Sequence, residues 1–403
     1  MKSVNSFPSE MSLRPGQPDF LDLPWGVPLA DWGGCCPNLV DVPVGASRHP
    51  VQFINYDGNI FALKELPADI AQQEYEMLCY LEQVHMPAVQ PVGHALTNHD
   101  GKSSSVLITR YLDQSLPFRL LFVRDSLETY REYLLDAIAG LIVQLHLASV
   151  YWGDCSLSNT LFRRDAGQLQ AYLVDAETAV IYKEYVPPIE RHHDLEIMEG
   201  NVNGELYDLK AAGLLSSNGI NIPLEATGAY IRLRYQRLWD EITREDIINP
   251  GEQFRITERI RVLNDLGFSV GDVQLADTPD GDQLRLKVVV TDRNYHRDQL
   301  YNLTGMDMEE RQARTVMNEI QEHRAMLSRN TESSTPLSVA AHHWVEHVYS
   351  RVIEKLSHLV DDNTTKVELY CQVLEHKWYM SERAQQDVGH DAATEDYLSS
   401  FGG

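Results

Sequence analysis

The chain has 403 residues and a formal net charge of −25, long enough for two hydrophobic cores and too acidic for nucleic acid or an anionic membrane as a generic partner. Apolar residues make up 43%, which fills a globular interior and argues against strong disorder except at the ends. No run of eighteen apolar residues occurs, so no transmembrane helix is expected, and five cysteines without a C-x-x-C pair argue against zinc or a disulfide framework and for a reducing cytoplasm.

In chain order, residues 1–40 read as an irregular N-terminal segment. VQFINY (51–56), Asp57-Gly58-Asn59 and IFALKEL (60–66) predict a β-hairpin, because two β-prone runs flank a D-G turn. Pro67 ends the second strand. The apolar spacing of Ile70, Met77, Leu78, Leu81 and Val84 predicts a helix over 68–84. SSVLITRYL (104–112) is a further strand. After Pro117 the period lengthens, and 126–150 is a long helix that is apolar over much of its girth. WGDCSLSNTLF (152–162) then precedes a short strand, a turn at Asp165-Ala166-Gly167 and the strand LQAYLVD (169–175).

Two helices follow, at 189–213 and about 226–242, separated by a Ser/Asn/Gly/Pro loop. From about 246 a helix ending near Gly267, a hairpin through Asp280-Gly281 and helices at 307–328, 337–360, 364–378 and 383–398 are expected, with TESST (331–335) as a linker. The fold class is therefore α+β.

The stretch that carries chemistry is WGDCSLSNTLF with LVDAETA (173–179). ATP-dependent transfer needs a carboxylate at the acceptor hydroxyl, and a carboxamide and second carboxylate to hold magnesium against phosphates. It also needs a strand lysine at the phosphates and a helix glutamate to steady it. Asp154, Asn159, Asp175, Lys64 and Glu74 supply these types in workable order. Cys155 reads as a small buried thiol, and His192 and His193 diverge too far on a helix to form a ready ligand pair. Arg163 and Arg164 read first as solvated charge at a strand end, with a basic patch for an anionic acceptor as the alternative, and a lining of the acceptor site is the lesser reading of Arg191 to Asp194.

FALK resembles the V-A-I-K strand of protein kinase-like folds, WGDCSLSN the H-R-D-x-x-x-x-N or H-G-D-x-x-x-x-N loop, and VDAE stands in the place of D-F-G. More specifically, RHPVQFINYDGNIFALKELP, LHLASVYWGDCSLSNTLFRRDAGQLQAYLVDAETA, NVNGELYDL and EHKWYMSERAQQDVGHDAATEDYL resemble the bacterial DUF4032 family, which is described alongside lipopolysaccharide-kinase-like proteins. The resemblance implies a two-lobed kinase-like domain over 41–245, with a small mixed β lobe at 41–115 and a helical lobe at 116–245. A mostly helical α+β domain follows at 246–400.

Carried over by position, Lys64 orients the phosphates of ATP, Glu74 or the nearby Glu76 pairs with it, and Asp154 aligns the acceptor hydroxyl. Asn159 and Asp175 bind Mg2+, with Glu177 as a further ligand. No glycine-rich loop precedes Lys64; VGASRHPVQF holds one glycine, which leaves Arg48 and His49 to cover the phosphates. The implied activity is an ATP- and Mg-dependent phosphotransferase on a hydroxyl acceptor, a small molecule, a sugar or lipid headgroup, or a protein. The missing loop and altered D-F-G also fit a nucleotide-binding pseudokinase scaffold, with the C-terminal domain docking a protein partner.

Overall fold

The computed structural model describes residues 7–42, 48–99, 101–123, 130–215, 223–249, 252, 254–277, 284–331, 334–360 and 365–401. Gly45, most of the loop at 214–223, the turn at Asp280-Gly281 and part of the TESST linker lie outside the described residues. The chain divides into two compact units. One holds residues 1–162 and 171–235, and the other holds 163–170 and 236–403. The division falls at 235/236, inside a helix, and eight residues from the middle of the chain are counted with the second unit.

The first unit begins with a five-stranded antiparallel sheet. Its strands are β1 (Glu10–Leu13), β2 (Val51–Tyr56), β3 (Asn59–Leu66), β4 (Pro91–His99) and β5 (Lys102–Arg110), in the order β1-β4-β5-β3-β2. The expected hairpin is β2–β3, with Tyr56 opposite Asn59 and Val51 opposite Lys64.

The pleat sends alternate β3 residues to opposite faces. Phe61 and Leu63 enter a core with Phe20, Trp25, Trp32 and Ile108, so Ala62 and Lys64 face the other way. The N-terminal segment is not irregular throughout, which corrects the sequence reading. β1 adds to the sheet edge, and Leu29–Gly34 is a 3-10 helix that seats Trp32 beneath it. Gly93 makes β1 possible, since a Cβ there would lie 2.2 Å from the Ser12 carbonyl oxygen.

Helix α1 (Ala68–Gln83) starts after Pro67 with Asp69 in its first turn, where a carboxylate suits the helix dipole. Its buried side is Ala71, Glu74, Leu78 and Leu81, spaced as one helix face. Beyond β5 come β6 (Leu116–Pro117), α2 (Phe118–Val123) and α3 (Tyr130–Leu147), which is buried nearly all round, as its apolar girth requires. Then follow β7 (Val150–Tyr151), β8 (Thr160–Asp165), β9 (Gln168–Leu173), β10 (Val180–Ile181), α4 (Pro188–Ala211) and α5 (Thr227–Thr243).

In the second unit β11 (Asp246–Ile248), β12 (Val270–Asp277) and β13 (Leu284–Val290) form an antiparallel sheet in the order β11-β13-β12, with α6 (Phe254–Asp265) against it. Helices α7 (Tyr295–Thr304), α8 (Glu310–Thr331), α9 (Leu337–Trp344), α10 (Ser350–Leu356), α11 (Lys366–Ala384) and α12 (Gly389–Phe401) close over a core that includes Leu300, Ile320, Trp344, Leu356, Tyr370 and Val373. The single helix expected at 337–360 is interrupted by a π-helical turn at Val345–Tyr349.

The turn 163–170 is built into this unit by buried carboxylates. Asp165 accepts from the backbone N–H of Gln312 (2.8 Å) and Arg311 (3.2 Å), at the start of α8. Glu368 of α11 accepts from the N–H of Ala166 (3.0 Å) and Gly167 (3.1 Å) and from Gln312 Nε2 (2.9 Å). Burial, and then the Glu309 carboxylate, push the Asp165 carboxyl up to about 7 against these N–H groups.

A raised carboxyl keeps its proton longer when folded than when unfolded. Its contribution is therefore full below the unfolded value and is lost as pH rises to about 7. Asp165→Asn removes that slope. Wild type is expected to lose roughly 2–3 kcal/mol through this group between pH 5 and pH 7, so the gap between the two melting temperatures should shrink as pH rises. Parallel melting curves across that range would refute the assignment.

Candidate active site

The sequence-selected residues of the first unit line one cavity of about 510 Å³. Its lining has an apolar part that includes Val51, Phe53, Ala62, Leu107, Leu112 and Val174 and a polar part that includes Lys64, Asp154, Asn159, Asp175, Glu177, Arg48 and His49. An apolar slot joined to a cluster of charges suits a flat ring joined to an anion.

Lys64 is the hinge of the polar part. Its ammonium lies 3.0 Å from Glu74 Oε2, 2.7 Å from Asp175 Oδ2 and 3.8 Å from Glu177 Oε2. Glu74 sits within the apolar stripe of α1, 1% exposed, whereas Glu76 points outward and accepts from Gln72. Burial would pull the Lys64 ammonium down, but Glu74 and Asp175 reverse this and hold it above its ordinary value. Glu74 is pushed up to about 7 by burial and by Asp175, with Lys64 acting against them. The two carboxylates share one ammonium, Glu74 through both oxygens and Asp175 through one.

Helix α4 is the template for the loop at 152–159. Asp194, Asn201 and Glu205 lie seven and then four residues apart, on one helix face. Asp194 is fully buried and accepts from the N–H of Trp152 (2.9 Å) and Gly153 (2.8 Å) and from His146 Nε2 (3.0 Å). Burial lowers the His146 pKa, with Asp194 opposing. The neutral ring therefore gives its Nε2 hydrogen to Asp194 and accepts at Nδ1 from the Tyr235 hydroxyl, 2.8 Å away.

Further along the loop, Asn201 Nδ2 donates to Asp154 Oδ1 and to the Cys155 carbonyl, both at 3.1 Å. Glu205 accepts from the N–H of Leu157 (2.8 Å) and Ser158 (2.9 Å). Gly153 takes φ +82°, where a side chain is strained, and a Cβ there would lie 3.0 Å from the Thr178 carbonyl oxygen. Trp152, buried, donates its indole N–H to the Asp175 carbonyl at 3.2 Å and so ties the loop to the second aspartate.

Asp154 is shared by three donors. Arg48 reaches Oδ2 at 2.7 Å, Asn159 Nδ2 reaches Oδ2 and the backbone carbonyl at 3.1 Å each, and Asn201 holds Oδ1. Asn159 thus spends its NH2 on Asp154 and keeps its carbonyl oxygen for another partner. His49 stands 3.3 Å from Glu177.

Among the described residues no three His, Cys, Asp or Glu side chains form a closed metal site. One carboxamide oxygen and one or two carboxylates are what Mg2+ needs when phosphates and water complete its shell, and the donors present fit that requirement.

Residues 58–211 match the model of the Lipopolysaccharide kinase (Kdo/WaaP) family. Residues 237–401 match the model "Domain of unknown function (DUF4032)". Both agree with the resemblance in the sequence, and the fold is kinase-like. A solved structure described as "WaaP in complex with acyl carrier protein" is 16% identical, with a TM-score of 0.32, over 50% of this chain and 90% of that chain. No curated protein matches the chain. Among the described residues no helix is long and apolar enough to cross a membrane.

Other sequence candidates fall elsewhere in the kinase-like segment or outside it. Asp194 does not line an acceptor site but is a buried anchor. His193 stacks on Tyr151 and His192 approaches Glu196. Cys155 is fully buried and its thiol is pushed well up by burial, as expected of a core thiol. Arg163 and Arg164 belong to the second unit, with Arg163 3.5 Å from Glu309. Asn201 and Glu205 escaped the sequence reading. Polar residues occur all along this helix, so spacing alone did not single them out.

Proposed function

We propose that this protein transfers the γ-phosphoryl group of ATP to a hydroxyl acceptor, with a sugar or lipid headgroup as the acceptor class that the kinase-family match favours. The observation that carries this reading is Lys64, held between Glu74 and Asp175, in the same cavity as Asp154 and Asn159. In this reading the adenine ring enters the apolar part. Lys64 contacts the phosphates, and Arg48 and His49 cover them where other kinases use a glycine-rich loop.

Mg2+, held by the Asn159 carbonyl oxygen and Asp175 with Glu177 near, would offset phosphate charge when bound. Asp154 orients the acceptor hydroxyl and takes its proton. Five free cysteines favour a cytoplasmic setting, where ATP is supplied.

A second reading, a nucleotide-binding scaffold without transfer, is favoured by Arg48, which occupies Asp154 Oδ2. Calorimetry with ATP, with and without Mg2+, combined with labelled-ATP transfer into cell extract, separates the two. Binding with transfer supports the enzyme, binding without transfer supports the scaffold, and absence of binding in both conditions overturns both.

A further inference from the structure

The two oxygens of Asp154 are held in unequal ways. Oδ1 faces Asn201, a residue in the interior of α4 whose NH2 spends one hydrogen on Oδ1 and the other on the Cys155 carbonyl. Two acceptors fix the orientation of that amide, since its own oxygen turned the same way would meet two oxygens. Oδ2 faces Arg48, whose side chain is 82% exposed, and shares Asn159 Nδ2 with the Asp154 carbonyl. An exposed arginine is held by a screened ion pair and is readily displaced, whereas a helix amide with a second anchor is not.

We infer that Asn201 is a positioning residue that commits Asp154 Oδ1 to the scaffold and leaves Oδ2 as the oxygen that receives the acceptor proton. This rests on the phosphotransfer reading above. In the step itself the acceptor oxygen forms a bond to the γ-phosphorus of ATP. The bond from that phosphorus to the β–γ bridging oxygen breaks, its electron pair leaves with ADP, and the hydroxyl proton passes to Oδ2. Arg48 vacates Oδ2 as the acceptor arrives and meets the phosphates instead. Without Asn201 the carboxylate turns about its Cα–Cβ bond, and the hydroxyl is no longer aligned in line with the γ-phosphorus.

Asn201→Ala in the full-length protein tests this. Transfer per bound ATP is expected to fall about 10²-fold, the cost of misaligned reacting groups, with the KM for ATP unchanged. Asn201→Asp, which sets oxygens against Oδ1 and the Cys155 carbonyl, should fall further, and Asn201→Gln should recover part of the loss. A merely structural residue would lower nucleotide binding and turnover together. Should Asn201→Ala not fold, Asn201→Gln and Asn201→Asp carry the comparison.

A crystal structure of the variant gives a readout apart from activity, with the Asp154 carboxylate expected to shift from the position set by its contacts to Arg48, Asn159 and Asn201. Unchanged kcat, a parallel loss of ATP binding, or an unmoved Asp154 overturns the inference. If wild type transfers nothing, the functional reading fails, and the crystallographic comparison still decides whether Asn201 positions Asp154.

Discussion

Asp154→Ala should lower phosphoryl transfer by about 10²–10⁴-fold, the range for loss of a positioned general base, while ATP binding in the presence of Mg2+ persists. The separation is expected because the neighbours of Asp154 are not stranded when its carboxylate goes. Asn159 Nδ2 keeps the residue-154 backbone carbonyl, and Asn201 Nδ2 keeps the Cys155 carbonyl. Arg48 is released, but its side chain is already largely exposed. Lys64 donates to Glu74 and Asp175 and not to Asp154 among the described residues, so the phosphate side of the cavity should hold. Labelled-ATP transfer and calorimetry on the same preparation check both halves. Wild-type transfer in the variant would remove Asp154 from the chemistry, and loss of ATP affinity would move it to the nucleotide side.

Asp194→Ala should destabilise the protein by about 3–5 kcal/mol, because removal of one partner leaves several buried donors unsatisfied. Three donors lose their acceptor at once, the N–H groups of Trp152 and Gly153 and the Nε2 of a neutral, buried His146. No water replaces the carboxylate easily at a site with no solvent exposure. At about 2–4 °C per kcal/mol for a unit of this size, a fall of roughly 10 °C in melting temperature is expected.

Turnover should fall with it, because Trp152 and Gly153 lead directly into Asp154. Asp194→Asn retains one acceptor oxygen and should cost less. Melting indistinguishable from wild type in Asp194→Ala would show that the loop is held elsewhere.

The polar part of the cavity was legible in the sequence because its residue types are rare in their contexts. Lys64 is a lysine in an apolar strand, and Asp154 and Asn159 flank a short loop at fixed spacing. The choice between Glu74 and Glu76 was also present, in the 71-74-78-81 stripe, since only a carboxylate on the apolar face is buried against the sheet.

The N-terminal core was not legible. Phe20, Trp25 and Trp32 lie among prolines and glycines without a period of 2 or 3.6, so periodicity carries no signal and tertiary packing alone orders them. Asp194, Asn201 and Glu205 were hidden by a different effect. A helix rich in carboxylates looks solvated along its length, and only the three-dimensional path of the loop beside it separates anchors from surface charge.

The turn at 163–170 bears on how such a chain is divided and recombined. Eight residues that form the end of β8, the turn and the start of β9 are counted with the second unit, where Glu368, Gln312 and the start of α8 satisfy their polar groups. The two units are therefore not cassettes joined end to end. A fragment cut at residue 235 carries the turn away from its buried partners, and a fragment beginning at 236 keeps the partners without the turn. Gain or exchange of the C-terminal unit by simple fusion would need a matching turn inside the recipient. The two segments are thus expected to be inherited together, with residues 163–170 covarying with α8 and α11.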